Sequence, residues 1–211
     1  MKKIILVRHG QTAWNKLGKY QGQADVELSE QGRRQAQLLK ENFPFDKVDA
    51  VYSSSLNRAV ETAKAVAGKF GLKVKSCDDF KEINFGAWEG LTYDQIHDKW
   101  PVEHEKLFKC PGEMTCPDGE SFADVQARAV AKLKKIIKSP EGENIVIAAH
   151  GGVIRTLLAY ALGMPLNNMW HIRQDNTAVN LITAYDESMV VELMNSTVHL
   201  KGEFLDSNMW K

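Results

Sequence analysis

The sequence has few of the features that mark secreted or membrane proteins. It contains 211 residues and only three cysteines, Cys77, Cys110 and Cys116. An odd number of cysteines without a repeated spacing argues against a disulfide framework and is typical of reduced thiols. The amino-terminal apolar run of residues 4–7 stops at Arg8, too early for a signal peptide, and no apolar run approaches the roughly 20 residues of a membrane span. We therefore predict a cytoplasmic protein that does not bind membranes.

An excess of one charge is also absent. The 27 lysine and arginine residues balance the 27 aspartate and glutamate residues, so the formal net charge is 0. Such a chain has no overall field that would attract nucleic acid, and any affinity for an anion must come from a local cluster. The composition, 44% hydrophobic and 26% charged, is that of an ordinary globular protein with a sizeable core.

Short apolar runs alternate with helical patterns along the chain. Five apolar runs predict strands, and they cover residues 4–7, 50–52, 145–149, 178–184 and 190–193. Helical periodicity occurs between them, with Ser29 and Ser121 as N-cap residues and Gly71 as a C-cap residue. This alternation predicts an α/β fold with a mainly parallel sheet and helices on both faces.

One segment, of about residues 86–119, interrupts the alternation. It holds three prolines, two cysteines and the aromatic residues Trp88, Tyr93, Trp100 and Phe108. We predict a single domain over residues 1–211 with an inserted lobe or lid at about 86–119. The four aromatic side chains are expected to form the core of this lobe or to line a lid over the substrate.

The same segment contains residue types that can bind zinc. His97, His104, Cys110 and Cys116 fall within twenty residues of one another. The two cysteines are separated by five residues and no histidine pair has the spacing of a zinc motif. We therefore predict no metal site there.

Polar residues follow three of the predicted strands. Arg8 and His9 follow the first strand, Arg58 comes shortly after the second, and His150 and Gly151 follow the third. The carboxyl ends of parallel strands meet at one edge of a sheet, where ligands bind. A guanidinium group matches the oxygens of a phosphate, and glycine lets backbone amides approach an anion closely. The sequence therefore predicts a phosphate pocket at this edge.

Five separated blocks of sequence extend this pattern from Lys2 to Asn180. The first runs from RHGQT at position 8 to LSEQG at position 28, and the others are SSSLNRA at 53, EINFG at 82, PDGES at 117 and HGG at 150. In this order they resemble the histidine phosphatase superfamily, in the branch that holds cofactor-dependent phosphoglycerate mutases and related phosphatases. The resemblance implies a phosphoglycerate mutase-like fold.

The resemblance also implies roles for eight residues. His9 is expected to attack phosphorus and to carry the phosphoryl group as phosphohistidine. Glu82 is expected to protonate the leaving oxygen and later to take a proton from water, with Glu89 and Glu120 as alternative carboxylates. Six residues are expected to bind the phosphoryl group: Arg8, Asn15, Gln21, Arg58, His150 and Gly151. Asn15 and Gln21 can instead be turn or capping residues.

The implied reaction uses no metal ion and no other cofactor, because cationic side chains do the work that Mg²⁺ does in kinases. The chain is shorter than mutases of the family generally are. We therefore predict a phosphomonoester phosphatase for a small phosphorylated metabolite, of the α-ribazole-phosphate phosphatase or broad-specificity type. The alternatives are a cofactor-dependent phosphoglycerate mutase and a non-catalytic phosphometabolite-binding protein. The physiological substrate, and whether the chain forms a homodimer, are left open.

Overall fold

A central sheet organises the protein, for which a computed structural model describes residues 1–186 and 188–201. Its strands are β1 (Lys2–Arg8), β2 (Ala50–Ser54), β3 (Val74–Cys77), β4 (Asn144–Ala149), β5 (Val179–Ala184) and β6 (Met189–Ser196). They lie in the order β3-β2-β4-β1-β5-β6. The four strands from β3 to β1 are parallel, and β5 and β6 are antiparallel to their neighbours. The prediction of an α/β fold with a mainly parallel sheet is confirmed.

Seven α-helices accompany the sheet within the described residues. They are α1 (Ala13–Lys16), α2 (Glu30–Glu41), α3 (Asn57–Phe70), α4 (Tyr93–Lys99), α5 (Pro101–Lys109), α6 (Phe122–Lys138) and α7 (Gly151–Ala161). The Ser29 side chain caps α2 and the Ser121 side chain caps α6, each by accepting a hydrogen bond from a backbone N–H. Gly71 ends α3 in the left-handed conformation, with φ of 66°. These three predicted helix ends are confirmed.

The two faces of the sheet bury separate sets of side chains. On β1, Ile4 and Leu6 pack into the core formed with α6, α7 and the 86–119 segment, whereas Ile5 and Val7 pack into the core formed with α2 and α3. All four side chains are fully buried, each contributing roughly 1.5–3 kcal/mol. Two-sided burial explains why this strand is apolar throughout, and it holds the carboxyl end of β1 in place.

The strand β3 was not predicted because it lacks an apolar run. Its middle residues Lys75 and Ser76 are exposed, since β3 lies at the edge of the sheet and pairs only with β2. An edge strand with charged and polar side chains resists pairing with other chains. Its sequence therefore does not carry the pattern of a buried strand.

The 86–119 segment packs into the same core as α6 and α7. Trp88, Ile96 and Leu107 are buried there. Of the two alternatives for the four aromatic side chains, a lobe core or the lining of a lid, the lobe core is wrong for Tyr93 and Phe108, which are 51% and 43% exposed. Both rings instead pack from outside against the buried His104 side chain. Nowhere in residues 1–186 and 188–201 does a helix combine the length and apolarity needed to span a bilayer.

Candidate active site

A cavity of about 210 Å³ lies beyond the carboxyl ends of β1 and β2. Six of the eight predicted site residues line it: Arg8, His9, Asn15, Gln21, Arg58 and Glu82. The other two lie beside these residues rather than in the cavity wall. The His150 ring is 5.2 Å from the His9 ring between centroids, and a Cβ atom at Gly151 would lie 3.5 Å from the Arg8 Nε atom.

His9 is held so that one ring nitrogen is available for chemistry. Its backbone N–H donates to Ala149 O, and its side chain is only 3% exposed. The Nδ1 atom lies 2.7 Å from Gly10 O, which can only accept, so Nδ1 carries the proton and Nε2 has a free lone pair. Nε2 makes no hydrogen bond with any described residue. Burial, followed by the charges of Arg58 and Arg8, lowers the pKa of His9 well below 6.5, so the imidazole is neutral near pH 7.

The turn after His9 requires close contact between two backbone segments. A Cβ atom at Gly10 would lie 2.6 Å from Gly32 O, and one at Gly32 would lie 2.0 Å from Gln11 O. Both distances are shorter than any van der Waals contact, and neither obstacle is a flexible side chain. The glycines therefore let the start of α2 pack directly against the loop that carries His9.

Arg58 is a buried cation and Arg8 a partly buried one, and both have unused donors. Arg58 is 1% exposed, and it donates from Nη1 to Ala24 O at 2.7 Å and from Nη2 to Gly22 O at 2.6 Å. Arg8 donates from Nη1 to Gln174 O. Both Nε atoms are buried without a hydrogen-bond partner, and neither guanidinium forms an ion pair, within the part of the chain that the structure describes. Burial lowers the pKa of Arg58 to about 10, so its charge persists at neutral pH and is available to an anion.

His150 and the start of α7 add further hydrogen-bonding groups beside the arginines. The His150 Nε2 atom lies 2.8 Å from Ser54 Oγ, and Nδ1 is buried without a partner among the described residues. Burial, then the Arg58 charge, lowers the pKa of His150 well below 6.5. Gly151 and Gly152 begin the eleven-residue helix α7, whose amino-terminal N–H groups favour an anion.

The side chains of Asn15 and Gln21 act both in the loop and in the cavity. The Thr12 N–H donates to Asn15 Oδ1 at 3.0 Å, and the Thr12 hydroxyl donates to Gln21 Oε1 at 2.8 Å. Asn15 is thus a capping residue of α1, one of the two roles left open by the sequence. The amide nitrogens of both side chains donate to none of the described residues. They are two further donors in the cavity wall.

Glu82 is the one carboxylate among the described residues that line the cavity. Its Oε1 accepts from the Ile83 N–H and its Oε2 from the Gly152 N–H, both at 3.0 Å. The alternative Glu89 accepts from the Gln23 N–H at 2.7 Å, and Glu120 pairs with an arginine. The geometry therefore favours Glu82 over Glu89 and Glu120 as the residue that donates and accepts the proton.

That arginine, Arg128 on α6, fixes the loop that carries Glu82. Its guanidinium donates to the backbone oxygens of Asp79 at 2.8 Å, Lys81 at 2.6 Å and Glu82 at 3.0 Å. It also forms two 3.0 Å hydrogen bonds with the Glu120 carboxylate. Five hydrogen bonds from one side chain thus hold the backbone of the loop against α6.

Arg128 and five cavity-lining residues were not among the predicted site residues; the five are Gly18, Lys19, Tyr20, Gly22 and Phe85. One signal for Arg128 was its position three residues after Val125, at the border of the apolar stripe of α6. For the cavity-lining residues the adjacent motifs QG and EINFG were the only signals, and neither shows which way a side chain points.

The zinc-binding residue types of the 86–119 segment serve packing. His97 and His104 have ring centroids 5.8 Å apart, and the His104 Nε2 atom lies 2.9 Å from the Tyr20 hydroxyl. Cys110 and Cys116 are free thiols. Among residues 1–186 and 188–201, no group of three or more His, Cys, Asp or Glu side chains is arranged to hold a metal ion.

Comparison with known proteins gives a consistent result. The family model of the histidine phosphatase superfamily (branch 1) matches residues 4–197. Phosphoserine phosphatase 1 of Hydrogenobacter thermophilus is 33% identical over 204 residues, which is 97% of this chain and 96% of that protein.

Two solved structures have the same fold over nearly all of their length. Bacillus stearothermophilus YhfR has a TM-score of 0.89 and 32% identity, covering 95% of this chain and 100% of that one. A mutant of Entamoeba histolytica phosphoserine phosphatase in complex with phosphoserine has a TM-score of 0.84 and 34% identity, with the same coverage. The predicted resemblance is confirmed, and this chain belongs to the histidine phosphatase superfamily.

Proposed function

We propose that this phosphatase hydrolyses a small phosphorylated metabolite through a phosphohistidine formed at His9. The observation that carries the proposal is the state of His9 in the cavity. Its Nδ1–H is bound to Gly10 O, its Nε2 is free, and the same cavity is lined by two arginines that form no ion pair with a described residue. Such a site attracts a phosphate dianion and presents a neutral nucleophile to it. The phosphatase names of the similar proteins support a phosphoric monoester hydrolase.

The first step transfers the phosphoryl group to the protein. Arg8 and Arg58 bind the phosphoryl oxygens, with His150, Asn15 and Gln21 as further donors. The Nε2 lone pair of His9 attacks phosphorus while the bond to the leaving oxygen breaks, and protonated Glu82 gives its proton to that oxygen. The alcohol departs and phosphohistidine remains. The guanidinium groups stabilise the negative charge on the oxygens in the transition state.

The second step returns the site to its starting state. The Glu82 carboxylate takes a proton from a water molecule, whose oxygen attacks phosphorus while the bond to His9 Nε2 breaks. Inorganic phosphate leaves, His9 is neutral again and Glu82 is protonated again. No step requires a metal ion, because charge neutralisation comes from side chains already in the cavity. The absence of a cofactor stays a prediction.

The size of the cavity supports a small substrate. Its volume of about 210 Å³ is below the roughly 300–1,000 Å³ typical of clefts for drug-sized ligands. The phosphoryl group occupies the part between Arg8, Arg58 and His9. The remaining space is bounded by Tyr20 and Phe85, whose ring centroids are 5.0 Å apart.

The experiment that tests the proposal stops turnover of p-nitrophenyl phosphate labelled with ³²P by a quench in alkaline detergent, in which a phosphoramidate survives. The parent protein should yield a phosphoryl-protein bond that is labile in acid and stable in base, as a phosphoramidate is. His9→Ala should trap no label and retain less than a tenth of the parent rate. A His9→Ala variant that turns over at the parent rate would rule out His9 as the nucleophile.

Two further arms separate this function from its alternatives. Activity should persist in EDTA without added Mg²⁺. With 2,3-bisphosphoglycerate present, 3-phosphoglycerate should release inorganic phosphate with negligible formation of 2-phosphoglycerate. Isomerisation faster than phosphate release would identify a mutase. Binding of phosphate without turnover of any ester would identify a non-catalytic binding protein.

A further inference from the structure

One cation in the cavity wall has no place in the phosphoryl chemistry. Lys19 lines the cavity together with Arg8 and Arg58, but it lies on the loop after α1 rather than at the end of a strand. Its side chain is partly exposed, whereas Arg58 is almost completely buried. Lys19 therefore lies closer to solvent than Arg58 does in the wall of this cavity.

The position of Lys19 is set by its backbone and by one aromatic ring. Its N–H donates to Trp14 O at 3.0 Å, and it pairs with Thr92 in an isolated β-bridge. The Nζ atom lies 5.7 Å from the centroid of the Trp14 ring, close enough for a cation–π interaction. This contact orients the ammonium group without using its N–H donors.

The ammonium group also lacks a carboxylate partner. No ion pair or side-chain hydrogen bond joins Lys19 to another residue in ranges 1–186 and 188–201. Surface lysines often lack partners, but Lys19 combines this with a place in the wall of a substrate cavity. The one acid of that wall, Glu82, is held by two backbone N–H groups. An anion entering with the substrate is the natural partner for Lys19.

Building on the proposed function, we infer that Lys19 binds a carboxylate on the leaving group and so selects carboxylated phosphomonoesters. In the proposed mechanism the phosphoryl oxygens already have hydrogen-bond donors, namely Arg8, Arg58, His150, Asn15 and Gln21. A second anion, a few bonds from the phosphoryl group, would form a charge-assisted hydrogen bond with Nζ. Phosphoserine, bound in the similar Entamoeba histolytica structure, belongs to this chemical class.

This inference predicts discrimination against esters of similar size that lack a carboxylate. A nucleoside-type leaving group, such as that of α-ribazole phosphate, offers no anion to Lys19. A hydrogen bond to a charged group contributes about 1.5–3 kcal/mol, which corresponds to roughly 10- to 150-fold in kcat/KM. We therefore expect the leaving-group carboxylate to raise kcat/KM by at least about tenfold.

The test compares two substrates that differ only in the carboxylate, O-phosphoserine and O-phosphoethanolamine. For the parent protein, kcat/KM should be roughly tenfold or more higher for O-phosphoserine. In Lys19→Met this ratio should fall to within about threefold of unity, because the loss is confined mainly to O-phosphoserine. Lys19→Arg should retain most of the ratio, since a guanidinium group also binds a carboxylate.

Lys16→Met is the matched control. Lys16 is an exposed lysine of the same segment that does not line the cavity, so its replacement changes the net charge equally. It should keep the parent ratio. The inference would be overturned if Lys19→Met left the ratio of the two kcat/KM values unchanged. It would also be overturned if Lys19→Met lowered kcat/KM equally for both substrates, because Lys19 would then bind the phosphoryl group.

Failure of the inference and failure of the proposed function give different results. Turnover of p-nitrophenyl phosphate with trapped phosphohistidine, but no preference for O-phosphoserine in the parent protein, would refute only the role of Lys19. No turnover of any ester by the parent protein would refute the proposed function itself.

Discussion

Of the four histidines buried in residues 1–186 and 188–201, three lie in two regions with different surroundings, the cavity floor and the lobe cluster. The cavity floor is defined as Arg8, His9 and Arg58 together with His150, which lies beside them. The lobe cluster is defined as His104 with Tyr20, Tyr93, His97 and Phe108. In the floor, burial and two guanidinium charges together lower the pKa of His9. In the lobe cluster, burial is the main cause of the lowered pKa of His104, with His97 second.

The two regions differ in the charges that surround their histidines. An anion bound by the arginines would offset their charge in the floor. In the lobe cluster no guanidinium charge contributes to the lowered pKa of His104, whose Nε2 atom contacts the Tyr20 hydroxyl. The cavity floor is therefore suited to binding an anion, and the lobe cluster is not. The lobe cluster is built around packing, with aromatic ring centroids 4.3–5.9 Å from that of His104.

The largest expected effect comes from removing a charge of the floor. Arg58→Met should lower kcat/KM on p-nitrophenyl phosphate by roughly 10²- to 10³-fold, because a donor aimed at the transferring oxygens is lost. It should also abolish the increase in melting temperature that inorganic phosphate gives the parent protein. His104→Phe, which alters the lobe cluster, should keep that increase. Equal loss in both variants would contradict the contrast between the regions.

Glu82→Gln should have the next largest effect, and it should depend on the leaving group. We expect a loss of roughly 10²-fold on an alkyl phosphate and a distinctly smaller loss on p-nitrophenyl phosphate, since p-nitrophenolate hardly needs a proton. Steady-state kinetics on the two esters measure this. Glu89→Gln is the control, because Glu89 does not line the cavity. Equal losses on both esters would remove Glu82 from the acid role.

Arg128→Lys should produce a smaller change of the same kind. A lysine cannot reproduce five hydrogen bonds, so the Glu82 loop should shift and the alkyl-phosphate rate should fall by roughly tenfold. The loss on p-nitrophenyl phosphate should be smaller, as for Glu82→Gln. A general loss of folding would instead lower both rates together with the melting temperature. Measuring all three quantities therefore distinguishes positioning of Glu82 from stability alone.

The smallest expected effect is the dependence of stability on pH. His9, His150, His104 and His199 have folded-state pKa values below 6.5, so below pH 6.5 these histidines bind more protons in the unfolded chain than in the folded one. The free energy of unfolding should therefore fall as the pH drops from 6.5 toward these lowered values, by up to about 1.4 kcal/mol per pH unit for each histidine.

Inorganic phosphate should separate the two regions in the same measurement. Bound phosphate raises the pKa of the two floor histidines, so it should flatten the dependence below pH 6.5 that they cause. The part due to His104 should remain with phosphate and disappear in His104→Phe. Denaturant unfolding at a series of pH values, with and without phosphate, measures both. A dependence that phosphate leaves unchanged would show that the floor does not bind it.

Much of the fold and part of the candidate site could be predicted from neighbouring residues. The apolar runs at 4–7 and 145–149 were sufficient for β1 and β4, because a strand buried on both faces needs apolar side chains throughout. The serine caps and the glycine at the end of α3 were predictable for a similar local reason. Six predicted site residues meet in one cavity because parallel strands end at the same edge of the sheet.

Other features depended on contacts between residues distant in sequence. The outward position of Tyr93 was not predictable because a helix pattern does not show which neighbour covers it. Lys19 lines the cavity on a loop that pairs with Thr92, and Arg128 reaches the Glu82 loop because α6 packs beside it. The sequence by itself determined the apolar strands, the caps and the types of residue at the strand ends, since these follow from local propensity and motif. Only the tertiary structure decided which donors remain unpaired around His9, because pairing depends on which groups folding brings together and which it leaves apart.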